Sequence, residues 1–215
     1  MYHSESIRIY DKLVSIKETL TGGTHFRLGD VSVNIEDKDG IGGLIEEWFG
    51  VWASQNGFLI HKTTAGQEFP DYFVGNDNGL LEIKTFDRDA SANFDIANFE
   101  SYCISLANNP HRLNSDYLIF GYRIKNGVLS VADIWLKKVW EITCASKRWP
   151  LKTQTKGKKE NEKVIYNIRP ATWYSRGRYP VFNNAHEFVN ALYATQQAYR
   201  GRSDLALFQQ NSINL

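Results

Sequence analysis

The sequence predicts a mixed α/β (α+β) fold in which helices flank a central mixed β-sheet. Three observations predict it. Helical periodicity opens the chain at residues 5–20 and 40–55. Two strand pairs built around strong turn signals fill the middle, at 71–86 and 117–135. A further helical stretch, 185–199, follows a basic, aromatic segment. This order of helices and strands suits a sheet covered by helices. The 215 residues read as a single domain, 1–215, large enough to bury a substantial core. Hydrophobic residues at 42% and aromatics at 13% exclude a disordered chain.

Each element has its own signal. In residues 5–20, Ile7, Tyr10, Leu13, Ile16 and Leu20 recur at steps of three and four, and Gly22-Gly23 ends the pattern. Val31, Val33 and Ile35 alternate with Ser32 and Asn34, which predicts a short strand. In 40–55 the apolar stripe is Ile41, Leu44, Ile45, Trp48 and Trp52, with Asp37 or Asp39 as cap and Gly57 as stop. Phe58-Leu59-Ile60 leads out as a strand. Gly75-Asn76-Asp77-Asn78-Gly79 predicts a hairpin turn between strands 71–74 and 80–86. Residues 95–107 predict a helix with Asp95 as N-cap and Phe99, Tyr102, Cys103 and Leu106 buried. Asn126-Gly127 turns strand 117–124 into strand 128–135. Lys152–Lys163 reads as a loop, and helix 185–199 buries Phe188, Ala191, Leu192 and Tyr199.

The net charge is only +1, yet it is unevenly spread. Residues 1–110 hold 8 Lys and Arg against 17 Asp and Glu, whereas residues 111–215 hold 17 against 7. An acidic half suits a metal ion and a basic half suits a polyanion such as the DNA backbone; two solvated faces of opposite sign would give the same count. Cys103 and Cys144 have no metal-ligand spacing and read as free, buried thiols. There is no signal-peptide pattern and no run long enough to span a membrane, so a cytoplasmic protein is expected.

The chemistry concentrates in Pro70-Asp71, ten further residues, then Glu82-Ile83-Lys84. Magnesium prefers hard oxygen ligands, which Asp71, Glu82 and the backbone carbonyl of Ile83 would supply. Such an ion lowers the pKa of water and stabilises charge on a reacting phosphate, and Lys84 would orient that water or stabilise the developing charge. Glu82 and Lys84 are two apart on a strand and share a face. Asp71 joins them if the loop is the four residues Gly75–Asn78, which pairs Val74 with Gly79. A symmetric five-residue loop would put Asp71 on the wrong face. The sequence leaves that register open. Exposed surface charges would give the same letters, but the strand also carries Leu80, Leu81 and Phe86, and charges on a half-buried strand are costly unless used. On helix 40–55, Glu46 and Glu47 interrupt the apolar stripe. The helical wheel sets Glu47 at its border, as a further metal or water ligand, and Glu46 nearer solvent.

Pro70, Asp71, Glu82 and Lys84 resemble the active-site motif of the PD-(D/E)xK nuclease superfamily. The resemblance implies a restriction-endonuclease-like core, a catalytic hairpin and an assisting glutamate at the position of Glu47. Asp37-Lys38-Asp39, Glu47-Trp48-Phe49, Phe69-Pro70-Asp71, Leu81-Glu82-Ile83-Lys84 and Asn93-Phe94-Asp95-Ile96-Ala97 are more narrowly similar to the NgoBV/NlaIV group of restriction endonucleases, over residues 37–105. That likeness implies a magnesium-dependent type II restriction endonuclease acting on double-stranded DNA as a homodimer, beside a separate DNA methyltransferase. The products would carry 5′-phosphate and 3′-hydroxyl ends. Together with the strand pattern and the basic composition, this suggests a catalytic core at about 37–135 and a basic DNA-contacting insertion or edge at about 145–182.

Candidate DNA contacts are Asn93, Lys152, Lys156, Lys158, Lys159 and Lys163, with Arg176 and Arg178 as candidate base readers beside Trp173, Tyr174 and Tyr179. A solvated loop and ordinary aromatic packing would account for the same residues. Two rival readings stay open: a structure- or nick-specific repair or junction nuclease of the same fold, and a non-catalytic DNA-binding module.

Overall fold

In a computed structural model of the chain, residues 1–35, 40–63, 69–157, 164–177 and 179–200 are described. They fall into two compact units, Met1–Ala92 with Ser115–Lys137, and Asn93–Asn114 with Lys138–Leu215. Residues 93–114, which the sequence reading set within a core at about 37–135 of a single domain, group with the C-terminal residues.

The first unit is built on a six-stranded sheet. Its strands are β1 (Thr21–Gly23), β4 (Ile60–Lys62), β5 (Tyr72–Val74), β6 (Gly79–Asp87), β8 (Asp116–Lys125) and β9 (Val128–Lys137), in the order β1-β9-β8-β6-β5-β4. β6 and β8 run parallel and all other neighbours antiparallel, so the sheet is mixed as predicted. β8 reads as a continuous apolar run because both its faces are buried from Tyr117 to Tyr122. Helices α1 (Ser4–Ile16) and α2 (Ile41–Gln55) cover one sheet face, where Ile9, Leu13, Ile45 and Phe49 pack with Leu81, Ile83, Leu118 and Phe120. A separate hairpin, β2 (His25–Leu28) and β3 (Val31–Asn34), lies between β1 and α2 in sequence; β2 was not foreseen.

Three expectations change here. The first helix ends at Ile16, a 3₁₀ turn covers Lys17–Thr19, and Gly22-Gly23 belong to β1 instead of closing the helix. The buried face of α1 carries Ile9 and Leu13, while Ile7 is exposed. The buried face of α2 is Ile41, Ile45, Phe49 and Ala53, with Leu44 and Trp48 toward solvent. A helix apolar over most of its circumference has no unique stripe, and contact with the sheet selects the one used. Gly40 is the N-cap of α2; Asp37 and Asp39 lie outside the described residues.

The second unit holds β7 (Ala97–Asn98), β10 (Thr153–Lys156) and β11 (Val164–Ile168) in the order β10-β11-β7, with α3 (Phe99–Asn108) and α4 (Ala185–Arg200). Phe99, Tyr102, Cys103, Leu106, Phe188 and Leu192 are buried, Tyr102 meeting Phe188 edge-on at 5.9 Å. Both cysteines are buried thiols that form no disulfide. The cap of α3 is Asn98, which accepts from the Ser101 N–H at 3.0 Å, not Asp95; the two residues ahead of the helix are drawn into β7. Thr153–Lys156, expected as loop, is strand.

His3 ties the N-terminus to the β5–β6 turn. Its Nδ1 accepts from the Glu5 N–H at 3.1 Å, capping α1, so Nε2 carries the proton it donates to Asp77 at 2.8 Å. A Cβ at Gly79 would come within 2.4 Å of the His3 ring. Gly79→Ala is therefore expected to cost about 1–3 kcal/mol through overpacking. In a His3→Ala background urea unfolding should show most of that cost gone; an undiminished cost would mean the ring is not what Gly79 accommodates.

Candidate active site

The β5–β6 hairpin takes the four-residue loop. Val74 pairs with Gly79, Phe73 with Leu80 and Tyr72 with Leu81, so Asp71 falls beside Glu82. Gly75 (φ 71°) and Asn78 (φ 55°) adopt the left-handed backbone that this turn requires. Ladder pairing stops at Tyr72, and side chains take over the edge of β6. The Ile83 N–H donates to Asp71 Oδ2 at 2.7 Å, and the Asp71 N–H donates to Glu82 Oε2 at 3.3 Å. Lys84 Nζ donates to Glu82 Oε1 at 2.8 Å. Pro70 enters through a cis peptide bond, and its carbonyl accepts from the Thr63 hydroxyl at 2.6 Å.

The electrostatics follow from crowding. Burial, and then the Glu82 carboxylate, push the Asp71 carboxyl up to about 7. Burial pulls Lys84 down, but Glu82, with Asp71 and Glu46, outweighs it and leaves the ammonium raised. Lys84 is thus held protonated between two acids. Two carboxylates and one ammonium leave negative charge in a largely enclosed place, and the donors are hard oxygens. That set fits a divalent cation such as magnesium. Among the described residues no group of three His, Cys, Asp or Glu side chains is clustered for a metal.

The helix contribution departs from the helical wheel. Glu47 is 71% exposed, whereas Glu46 is 31% exposed and adds to the fields at Asp71 and Lys84. The reason lies in the helix–sheet contact. A Cβ on Gly42 would meet Thr85 Oγ1 at 3.2 Å, and one on Gly50 would meet the Tyr72 hydroxyl at 2.6 Å. Glu46 lies four residues from each glycine, on the same stripe. The Tyr72 hydroxyl donates to the Glu46 carbonyl at 2.9 Å. Gly42-x3-Glu46-x3-Gly50 was the overlooked signal. Glu47 is drawn aside by Lys62, which bonds it and lies 3.5 Å from Glu46.

The remaining candidates belong to the second unit. Asn93 is exposed, and its side chain and carbonyl accept from Arg169, which also bonds Asp95. Arg169 was not singled out from sequence. Lys152 Nζ donates to the Pro170 carbonyl at 2.7 Å, and Lys156 Nζ stands 3.3 Å over the Tyr166 ring. Arg176 is exposed. Phe94 packs 6.0 Å from Trp173, which meets Tyr174 edge-on. Lys158, Lys159, Lys163 and Arg178 lie outside the described residues.

A family profile, that of the NgoBV restriction endonuclease, matches residues 3–213. This chain belongs to the NgoBV restriction endonuclease family. It is 38% identical to the type II restriction enzyme NlaIV of Neisseria lactamica, over 87% of this chain and 79% of that one. It is 35% identical to the type II restriction enzyme NgoBV of Neisseria gonorrhoeae, over 69% of this chain and 88% of that one. A solved NlaIV restriction endonuclease superposes with a TM-score of 0.83 at 33% identity, covering 97% of this chain and 90% of the other. The protein is therefore an endodeoxyribonuclease of the type II restriction class, with a restriction-endonuclease-like fold. Membership separates the first sequence reading from the repair nuclease and the non-catalytic module. It also implies a divalent metal cofactor. No described helix is long and apolar enough to cross a membrane.

The raised Asp71 carboxyl makes a thermodynamic prediction. Its folded value of about 7 exceeds the unfolded value of about 3.9, so the native state binds more protons in that window. Without metal, stability should fall as pH rises from about 4 to about 7 and stay low above it. Asp71→Asn removes the charge, so thermal unfolding without metal should show a larger gain in Tm at pH 8 than at pH 4.5. Equal shifts at both pH values would show that the carboxylate is not strained.

Proposed function

We propose that this restriction endonuclease is magnesium-dependent and cuts both strands of a specific DNA sequence at the Asp71–Glu82–Lys84 site. The observation that carries the reading is the convergence of two carboxylates and one ammonium on the single edge of β6 where ladder pairing stops.

Asp71 and Glu82 would hold the ion. The Ile83 N–H leaves the strand toward Asp71, and the carbonyl of a strand residue points to the same edge as its N–H, so Ile83 can add a third oxygen. When bound, the ion supplies positive charge that polarises a water and offsets charge on the phosphate. Lys84, kept protonated by Glu82, offers its hydrogens to the attacking water and to the phosphate oxygens as negative charge builds there. Glu46, on the stripe facing the hairpin, takes the assisting role first given to Glu47. Attack in line forms the new P–O bond as the P–O3′ bond breaks. The attacking water loses its proton to solvent and the leaving O3′ takes one from solvent, so the ends are a 5′-phosphate and a 3′-hydroxyl.

Two cuts in opposite strands of a symmetric site call for two active sites, so a homodimer follows. We place the enzyme in the cytoplasm beside a separate DNA methyltransferase that protects the host's own sites. Lys152, Lys156, Arg176 and Asn93 remain candidate DNA contacts. Lys152, Lys156 and Asn93 also have local partners, so their part is to order the basic surface as much as to touch phosphate.

Plasmid digestion in magnesium, with the ends sequenced, tests the reading. Discrete fragments sharing one end sequence are expected, and Lys84→Ala should slow cutting by about 10²–10³-fold. Full activity in Lys84→Ala, or in excess chelator, would refute it. The helix assignment has its own test. Glu46→Gln should slow cleavage by about 10-fold or more, while Glu47→Gln leaves the rate unchanged; the reverse order would restore the helical-wheel assignment.

A further inference from the structure

The β2–β3 hairpin is exposed at every position, yet its residues are sorted by face. Register pairs Phe26 with Val33 and Leu28 with Val31, so these four side chains share one face. They are 52%, 50%, 74% and 66% exposed, respectively. His25, Arg27, Ser32 and Asn34 form the other face. That polar face is satisfied within the hairpin: His25 Nδ1 lies 2.7 Å from Asn34 Oδ1, and Arg27 Nε donates to the Gly29 carbonyl at 3.1 Å.

The ribbon is also firmly rooted. The Thr24 N–H donates to the Gly127 carbonyl at 2.9 Å, and the Ile35 N–H donates to the Thr24 carbonyl at 2.6 Å. The Asn34 side chain fills the space where a Cβ of Gly127 would stand. At this root opens a cavity of about 420 Å³ walled by Leu20, Gly22, Leu44, Trp48, Trp52 and Leu129. Leu44 and Trp48 are themselves 53% and 37% exposed. A two-stranded ribbon is marginal alone in water, and an apolar face held out on a fixed base is a surface that lacks its cover.

We propose that this face, with the cavity at its root, is where a second copy of the same chain docks. The inference rests on the two-strand cleavage reading, which requires two identical subunits. Charge disfavours DNA as the occupant. The hairpin offers one arginine against Asp30, in the half of the chain where acids outnumber bases 17 to 8. The area suits a subunit interface. Six half-exposed apolar side chains at on the order of 100 Å² each give roughly 600 Å², most of the ~800 Å² that each partner buries in a standard complex. The arrangement also suits a two-fold axis, because an arm and a pocket on one chain can be exchanged reciprocally with those of its copy. Among the described residues β2 and β3 pair with each other and with no other strand, so each leaves an outer edge open to a strand of that copy.

Sedimentation velocity at micromolar concentration tests this without any cleavage assay. The wild type should sediment at twice the 24.7 kDa chain mass. Leu28→Asp should weaken association by at least about 30-fold, while Arg27→Ser on the polar face leaves it intact. Should Leu28→Asp fail to fold, the milder Leu28→Ser replaces it, with association expected to weaken at least about tenfold. A monomeric wild type overturns the proposal, as does a Leu28→Asp variant that stays dimeric. If that variant stays dimeric but loses DNA affinity, the face belongs to DNA instead. A dimer that cuts nothing in magnesium would defeat the cleavage reading and leave this interface standing; an active dimer that Leu28→Asp leaves intact would defeat the interface and leave the cleavage reading standing.

Discussion

Two carboxylates on one strand edge repel each other, and most of the first unit is arranged so that they stay there. Asp71 and Glu82 are brought together where β5 stops pairing with β6, so backbone N–H groups that a ladder would use are free to hold acids. Burial removes the water that would screen them, and Lys84 cancels only part of the charge. The residue of that balance is a negative, oxygen-lined place whose donors suit a divalent cation.

The surrounding structure serves this place by restricting backbone and helix. A four-residue turn with two left-handed positions sets the register, and a slip of one residue would send Asp71 to the far face. His3 braces that turn from the N-terminal helix, so the first residues of the chain are tied to the β5–β6 hairpin. Gly42 and Gly50 let α2 approach the hairpin closely, which sets Glu46 on the stripe facing it. Parallel pairing of β6 with β8 covers the other edge of β6 and gives that strand a backing.

Much of this was legible in the letters, for definite reasons. Turn chemistry at Gly75–Gly79 and Asn126-Gly127 gave both hairpins, because few residues tolerate positive φ. Period-two spacing put Glu82 and Lys84 on one face, and a short apolar, β-rich run gave β8. What stayed hidden depends on tertiary contact. The wheel chose Glu47 because α2 is apolar on several sides, and only its glycine contacts show which side meets the hairpin. Asp95 looked like a helix cap until β7 formed ahead of α3 and Arg169 claimed the carboxylate, a pairing 74 residues apart in sequence. Strand β2 was missed because its alternation begins with histidine and carries an arginine, so it lacks a β-branched run.

In the proposed function a cation relieves the excess negative charge around Asp71, and proton release reports that relief directly. Calorimetric titration of the DNA-free protein with magnesium, run at pH 6.5 in buffers of different ionisation enthalpy, measures the protons expelled per ion bound. A substantial fraction of a proton should leave at pH 6.5, none at pH 9, and none from Asp71→Asn at either. Magnesium binding with no proton release at pH 6.5 would contradict the account, since Asp71 would then already be a carboxylate at ease in its site.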